Sequence, residues 1–92
     1  MRLKIYYRKN LNMSPQKLAA QVGHVAKELG RMYTATVPQE DSIVVLMASD
    51  NKFNEAKQFA KDQDFENWLQ VDNGLTEVAA GTETCFGYIE EY

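Results

Sequence analysis

Ninety-two residues, 45% hydrophobic and 25% charged, suit one domain spanning residues 1–92 with a modest core, and exclude a disordered chain. No apolar run approaches the roughly 20 residues of a membrane span, and the charged start MRLKIYYRKN is no signal peptide, so a cytoplasmic protein is expected. One Cys and one His exclude an internal disulfide and a Cys/His zinc site within the chain. The net charge of -3 conceals seven basic residues against one acid in residues 1–31 and three against twelve in residues 32–92.

The first element is a strand. In RLKIYY, Leu3, Ile5 and Tyr7 alternate with Arg2, Lys4 and Tyr6. The polar stretch RKNLNMSP breaks the pattern, and Ser14-Pro15 supplies a capping hydroxyl followed by a residue pre-set for a first helical turn. The helix should run to about Leu29 and stop at Gly30. Its wheel has three faces: an apolar stripe of Leu18, Val22, Val25 and Leu29, a small-residue face of Ala19, Gly23 and Ala26 suited to a close backbone, and a polar row of Lys17, Gln21, His24 and Glu28 beside the stripe.

YTATVPQED reads as a loop. SIVVLMA is β-prone and apolar throughout, as a buried central strand would be. Ser49 or Asp50 caps a second helix over about Asn51 to Lys61, with Phe53, Ala56, Phe59 and Ala60 inward. NWLQVD is a third strand, GLTEVAAGTET a Gly- and Thr-rich connection, and TCFGYIEE a fourth strand in which Cys85 reads as a small buried hydrophobe. The order β-α-β-α-β-β implies an α/β fold, a compact α/β/α-type sandwich on a mixed four-stranded sheet. Parallel pairs are expected across the helices, with one antiparallel pair at the end.

Two polar clusters have chemistry to offer. One is the row of the first helix. The other lies in VDNGLTEVAAGTET, where Asp72 ends a strand at the edge that α/β sheets commonly use for sites, and Thr76, Thr82 and Thr84 follow. A carboxylate here can order a water, a lysine can hold that carboxylate ionised, and a threonine can donate to a developing oxyanion. The same residues also suit plain turn chemistry and β-propensity, and both readings stand on residue types alone. The basic first third likewise suits either a phosphate-binding face or a solvated surface.

MSPQKLAAQVGH followed by DNGLTEVAAGTET resembles the peptidyl-tRNA hydrolases of the second, archaeal and eukaryotic type. That family carries M-x-x-G-K-x-x-A-Q-x-x-H and then D-A-G-x-T-x-x-x-P-G-T-x-T. Met13, Lys17, Ala20, Gln21 and His24 match the first motif, and Asp72, Gly74, Thr76, Gly81, Thr82 and Thr84 the second; Arg8 and Leu11 match an upstream R-x-D-L. The resemblance implies hydrolysis of the ester joining a peptide to tRNA, without metal or cofactor, at a site of Lys17, Gln21, His24, Asp72, Thr76 and Thr84. It also implies a tRNA partner met by the basic N-terminal third.

Departures are Asn10 for the motif Asp, Gln16 for Gly, Asn73 for Ala and Ala80 for Pro. The stretch after His24 is shorter than in the family, and the C-terminal helix usual there is not present in these 92 residues. An edge or face left uncovered in that way favours a homodimer. The alternative is a non-catalytic module of the same fold that binds tRNA or protein.

Overall fold

The computed structural model describes residues 1–33, 42–74 and 78–90. Strand β1 (Arg2–Arg8) leads through a single 3-10 turn at Lys9–Leu11 into helix α1 (Pro15–Met32). Strand β2 (Ser42–Ala48), helix α2 (Asp50–Asp62), strand β3 (Asn67–Val71) and strand β4 (Glu83–Glu90) follow, in the element order read from the sequence. Both helices start on serines. Ser14 accepts from the Lys17 amide at 3.1 Å with Pro15 behind it, and Ser49 accepts from the Lys52 amide at 3.2 Å.

The sheet order is β2-β1-β4-β3, with β1 and β2 parallel and both other pairs antiparallel. One parallel pair therefore forms rather than two, because β4 inserts between β1 and β3. The central buried strand is β4, in which Thr84 through Ile89 are all buried. SIVVLMA is an edge strand instead, and Ile43, Val45, Leu46 and Met47 are exposed. An apolar run records what a strand is able to bury, and here only one flank of that strand is met.

Each helix covers one face of the sheet. Leu3, Ile5, Cys85 and Ile89 pack against Val25 and Leu29 of α1, while Ala48, Phe86 and Tyr88 pack against Phe53, Ala56 and Ala60 of α2. Burial pushes the Cys85 thiol up to about 12 and leaves it an inert filler. Phe59, expected inward, is exposed even though its ring meets Phe65 and Tyr88. Helix α1 also runs past Gly30 to Met32, which packs against the core, while Glu28 and Arg31 pair across the last turn. Those contacts offset the roughly 1 kcal/mol that an interior glycine costs a helix.

The close approach of α1 to the sheet comes from the strand and not from the helix. A Cβ on Gly87 would lie 2.6 Å from Val25 Cγ1 and 3.0 Å from Leu29 Cδ1, whereas one on Gly23 would meet nothing within 4 Å. Ala19 and Gly23, expected to receive a neighbouring backbone, are exposed. Among the described residues no helix is long and apolar enough to cross a membrane.

Candidate active site

The cap at Ser14 fixes the first turn of α1, and the Gly87 contact seats its middle turns on β4. Lys17 and Gln21 are thereby held over the ends of β3 and β4. Directly after β3 the chain turns back: the Asp72 amide donates to the Thr82 carbonyl at 2.9 Å, and the Gly81 amide donates to the Asp72 carbonyl at 2.8 Å. Gly74 (φ 77°) and Gly81 (φ 84°) occupy the left-handed region in this loop. A Cβ at Gly74 would also strike the Ala80 backbone nitrogen at 2.6 Å. The D-N-G-x-T motif thus has a steric reason for its glycine.

This loop brings Asp72 to Lys17. The Lys17 ammonium donates to Asp72 Oδ2, with the two side chains only 10% and 5% exposed. The second carboxylate oxygen accepts from the Gly74 amide at 2.6 Å. The Lys17 hydrogen bond, then that of Gly74, holds the Asp72 carboxyl below its usual range against the opposing effect of burial. The result is a largely buried carboxylate that stays ionised, with a cation fixed on it.

A second pair lies beside the first. Thr84 Oγ1 donates to Gln21 Oε1 at 2.6 Å, and both residues are buried. Its single hydrogen is thereby committed, so Thr84 orients the Gln21 amide rather than facing a substrate as the donor expected of it. The Gln21 amide nitrogen keeps its two hydrogens to donate.

Lys17, Gln21 and Asp72 line a pocket of about 430 Å³ whose walls also include His24 and Gln70, with Thr84 behind Gln21 and outside the lining. His24 is exposed and belongs to the rim. Thr76 lies outside the described residues. Gln70, unanticipated, accepts from Trp68 Nε1 at 3.0 Å and lines the wall. The alternation in NWLQV, which puts Trp68 and Gln70 on one face, was the available signal for it.

The basic first third is less of a free positive surface than its count suggests. Arg2 and Lys4 pair with Glu90, and Arg8 with Asp50. Arg8 also donates to the Glu83 carbonyl at 3.0 Å, tying the end of β1 to the start of β4. Lys9 and Lys27 are exposed and make no ion pair among the described residues. No group of three or more His, Cys, Asp or Glu side chains suited to a metal occurs among those residues.

A family model described as Peptidyl-tRNA hydrolase PTH2 matches residues 1–89. A protein of Methanopyrus kandleri named peptidyl-tRNA hydrolase is 36% identical, over 90% of this chain and 78% of its own length. One of Thermoplasma volcanium with the same name is 30% identical, over 100% of this chain and 86% of its own. Extent and identity agree with a pocket built from both motifs, and the chain belongs to the peptidyl-tRNA hydrolase PTH2 family.

Proposed function

We propose that the chain hydrolyses the ester between a peptide, or an N-acyl amino acid, and the ribose of tRNA, in the pocket between α1 and the β3–β4 loop. The observation that carries this reading is the Lys17–Asp72 pair in the pocket wall, with the Asp72 carboxylate held ionised. Water supplies the hydroxyl that joins the carbonyl carbon. Its remaining proton passes to the departing ribose oxygen, so the products are a carboxylic acid and a tRNA with a free hydroxyl.

A carboxylate held below its usual range is a weak proton acceptor at neutral pH, since general bases work best with a pKa near the working pH. Asp72 therefore serves to orient the water and to fix Lys17. The Lys17 ammonium and the Gln21 amide stabilise the negative charge that forms on the carbonyl oxygen. Thr84 acts through Gln21 as a positioning residue, and His24 at the rim is the side chain suited to carry the proton toward the ribose. Thr76 follows Gly74 closely in the chain, and its role rests on its match to the family motif.

The tRNA backbone meets Lys9, Lys27 and Arg31, which are exposed in the basic third. Helical geometry puts Lys27 and Arg31 within about 60° of His24 around α1. The active species is a homodimer located in the cytoplasm. The deciding assay is release of the N-acyl amino acid from N-acylaminoacyl-tRNA. Release no faster than in buffer refutes the activity, and release that ignores rising salt refutes the phosphate contacts.

A further inference from the structure

Trp68 and Gln70 stand on the face of β3 that meets α1, and one bond between them decides what the pocket wall presents. The indole Nε1 of Trp68 donates to Gln70 Oε1 at 3.0 Å. An indole nitrogen can only donate, so the end of the Gln70 amide that meets it must be the oxygen. The amide therefore has one orientation, with its nitrogen as the end left to donate. That nitrogen is 3.5 Å from the Val71 carbonyl oxygen, well beyond the usual separation of about 2.9–3.0 Å. A better-placed acceptor can take its hydrogens. Trp68 is held in turn, half-buried and packed against the cluster that includes Ile5, Val25 and Leu29.

Gln70 also lies beside the other oriented amide of the pocket. Thr84 Oγ1, which donates to Gln21 Oε1 at 2.6 Å, is 3.4 Å from the Gln70 carbonyl oxygen. Both glutamines line the cavity that holds the Lys17–Asp72 pair. Each has its amide oxygen engaged by a protein donor and its amide nitrogen left for a ligand. Two donors side by side suit two neighbouring acceptors. A peptidyl or N-acylaminoacyl ester supplies them: the ester carbonyl, and the acyl carbonyl one residue along the chain, about 3.3–3.6 Å away.

We propose, on the ester-hydrolysis reading above, that Gln70 is a specificity-determining residue whose amide nitrogen donates to the acyl carbonyl of the substrate. Trp68 is the positioning residue that fixes this amide. The pocket thereby separates N-acylated esters from free aminoacyl esters on the same tRNA terminus. A free aminoacyl ester has no acyl carbonyl, and at pH 7 its α-amino group is largely an ammonium with hydrogens of its own to donate. Beside Gln70 and Lys17 it sets donors against donors and brings two cations together. A site built to hydrogen-bond one group of a substrate rejects the analogue that lacks that group.

Values of kcat/KM on N-acetylaminoacyl-tRNA and on the same aminoacyl-tRNA left unblocked, both at pH 7, read the answer. Wild type should favour the blocked substrate. Gln70→Leu keeps most of the bulk and removes the amide. The ratio of the two values should fall about tenfold, the worth of one good hydrogen bond, with the loss on the blocked substrate. Trp68→Phe keeps a ring against the core and removes the donor, so the freed amide should lower the ratio in the same direction. Gln70→Glu keeps an acceptor for Trp68 and puts an oxygen where the nitrogen stood, so cleavage of the unblocked ester should rise above wild type.

An unchanged ratio in Gln70→Leu or Gln70→Glu, or equal losses on both substrates, would overturn the proposal, because a side chain that only packs moves both rates together. A wild-type protein that cleaves neither substrate refutes the hydrolysis itself, and the assignment of Gln70 with it. Circular dichroism on each variant excludes unfolding as the cause of any loss.

Discussion

Asp72 holds the Lys17 ammonium on one carboxylate oxygen and the Gly74 amide on the other, joining a helix to a loop 55 residues away in sequence. One contact thus aligns the two motifs of the chain. Position and charge are set by the same bonds: the cap at Ser14 and the left-handed Gly74 place the partners, and the bonds from Lys17 and Gly74 keep Asp72 ionised.

The depressed carboxyl of Asp72 has a pH signature. In the unfolded chain Asp72 titrates near 3.8, and in the folded protein below that. Its contribution to stability is complete above the unfolded value, shrinks as pH falls between the two, and is gone below the folded one. Thermal unfolding of wild type and Asp72→Asn should therefore differ by a constant margin from neutrality down to about pH 5, and the margin should narrow below pH 4. A margin that stays flat through the acid range is inconsistent with a carboxylate held ionised by Lys17.

Thr84 and Gln21 test positioning separately from stability. Thr84→Val keeps the shape and removes the hydroxyl, leaving the buried Gln21 oxygen without its donor at a stability cost of about 1–3 kcal/mol. Turnover should fall about tenfold, in kcat rather than KM, if the Gln21 amide acts on the transition state. Thr84→Ser restores the donor and should recover most of the rate. Equal losses in the Ser and Val variants indicate packing alone.

Gly87 controls how closely α1 approaches the sheet. Gly87→Ala drives a methyl into Val25 and Leu29 and should destabilise by about 1–3 kcal/mol in urea titration. In the double variant with Val25→Ala the two losses should sum to more than the observed total, because the second substitution makes room for the first. Strict additivity means that the close contact is not what limits the packing.

Much of this architecture was legible in the sequence because its signals are local. Ser14-Pro15 and Ser49 mark helix starts through hydrogen bonds within one turn, and the polar row of α1 follows from the helical period. The parallel β1–β2 pair and the antiparallel β3–β4 pair were legible, but the insertion of β4 between β1 and β3 was not, since it depends on long-range pairings such as Arg2 with Glu90. The apolar pattern of SIVVLMA is the same for a covered strand and an uncovered one. The partner of Thr84 was hidden for a related reason: that its hydroxyl meets Gln21 is a fact of packing across 63 residues, which motif spacing does not contain.

On the proposed mechanism Lys17 and Asp72 act as one unit in ester hydrolysis. The direct measurement is the rate of N-acylaminoacyl-tRNA cleavage by wild type, Lys17→Ala, Asp72→Ala and the double variant, with folding checked by circular dichroism. Each single change should lower kcat by about 10²–10³, the usual loss when one charge-stabilising group is removed, and the double variant should be hardly slower than either. Single variants that cleave at the wild-type rate, or losses that multiply in the double variant, would contradict the account.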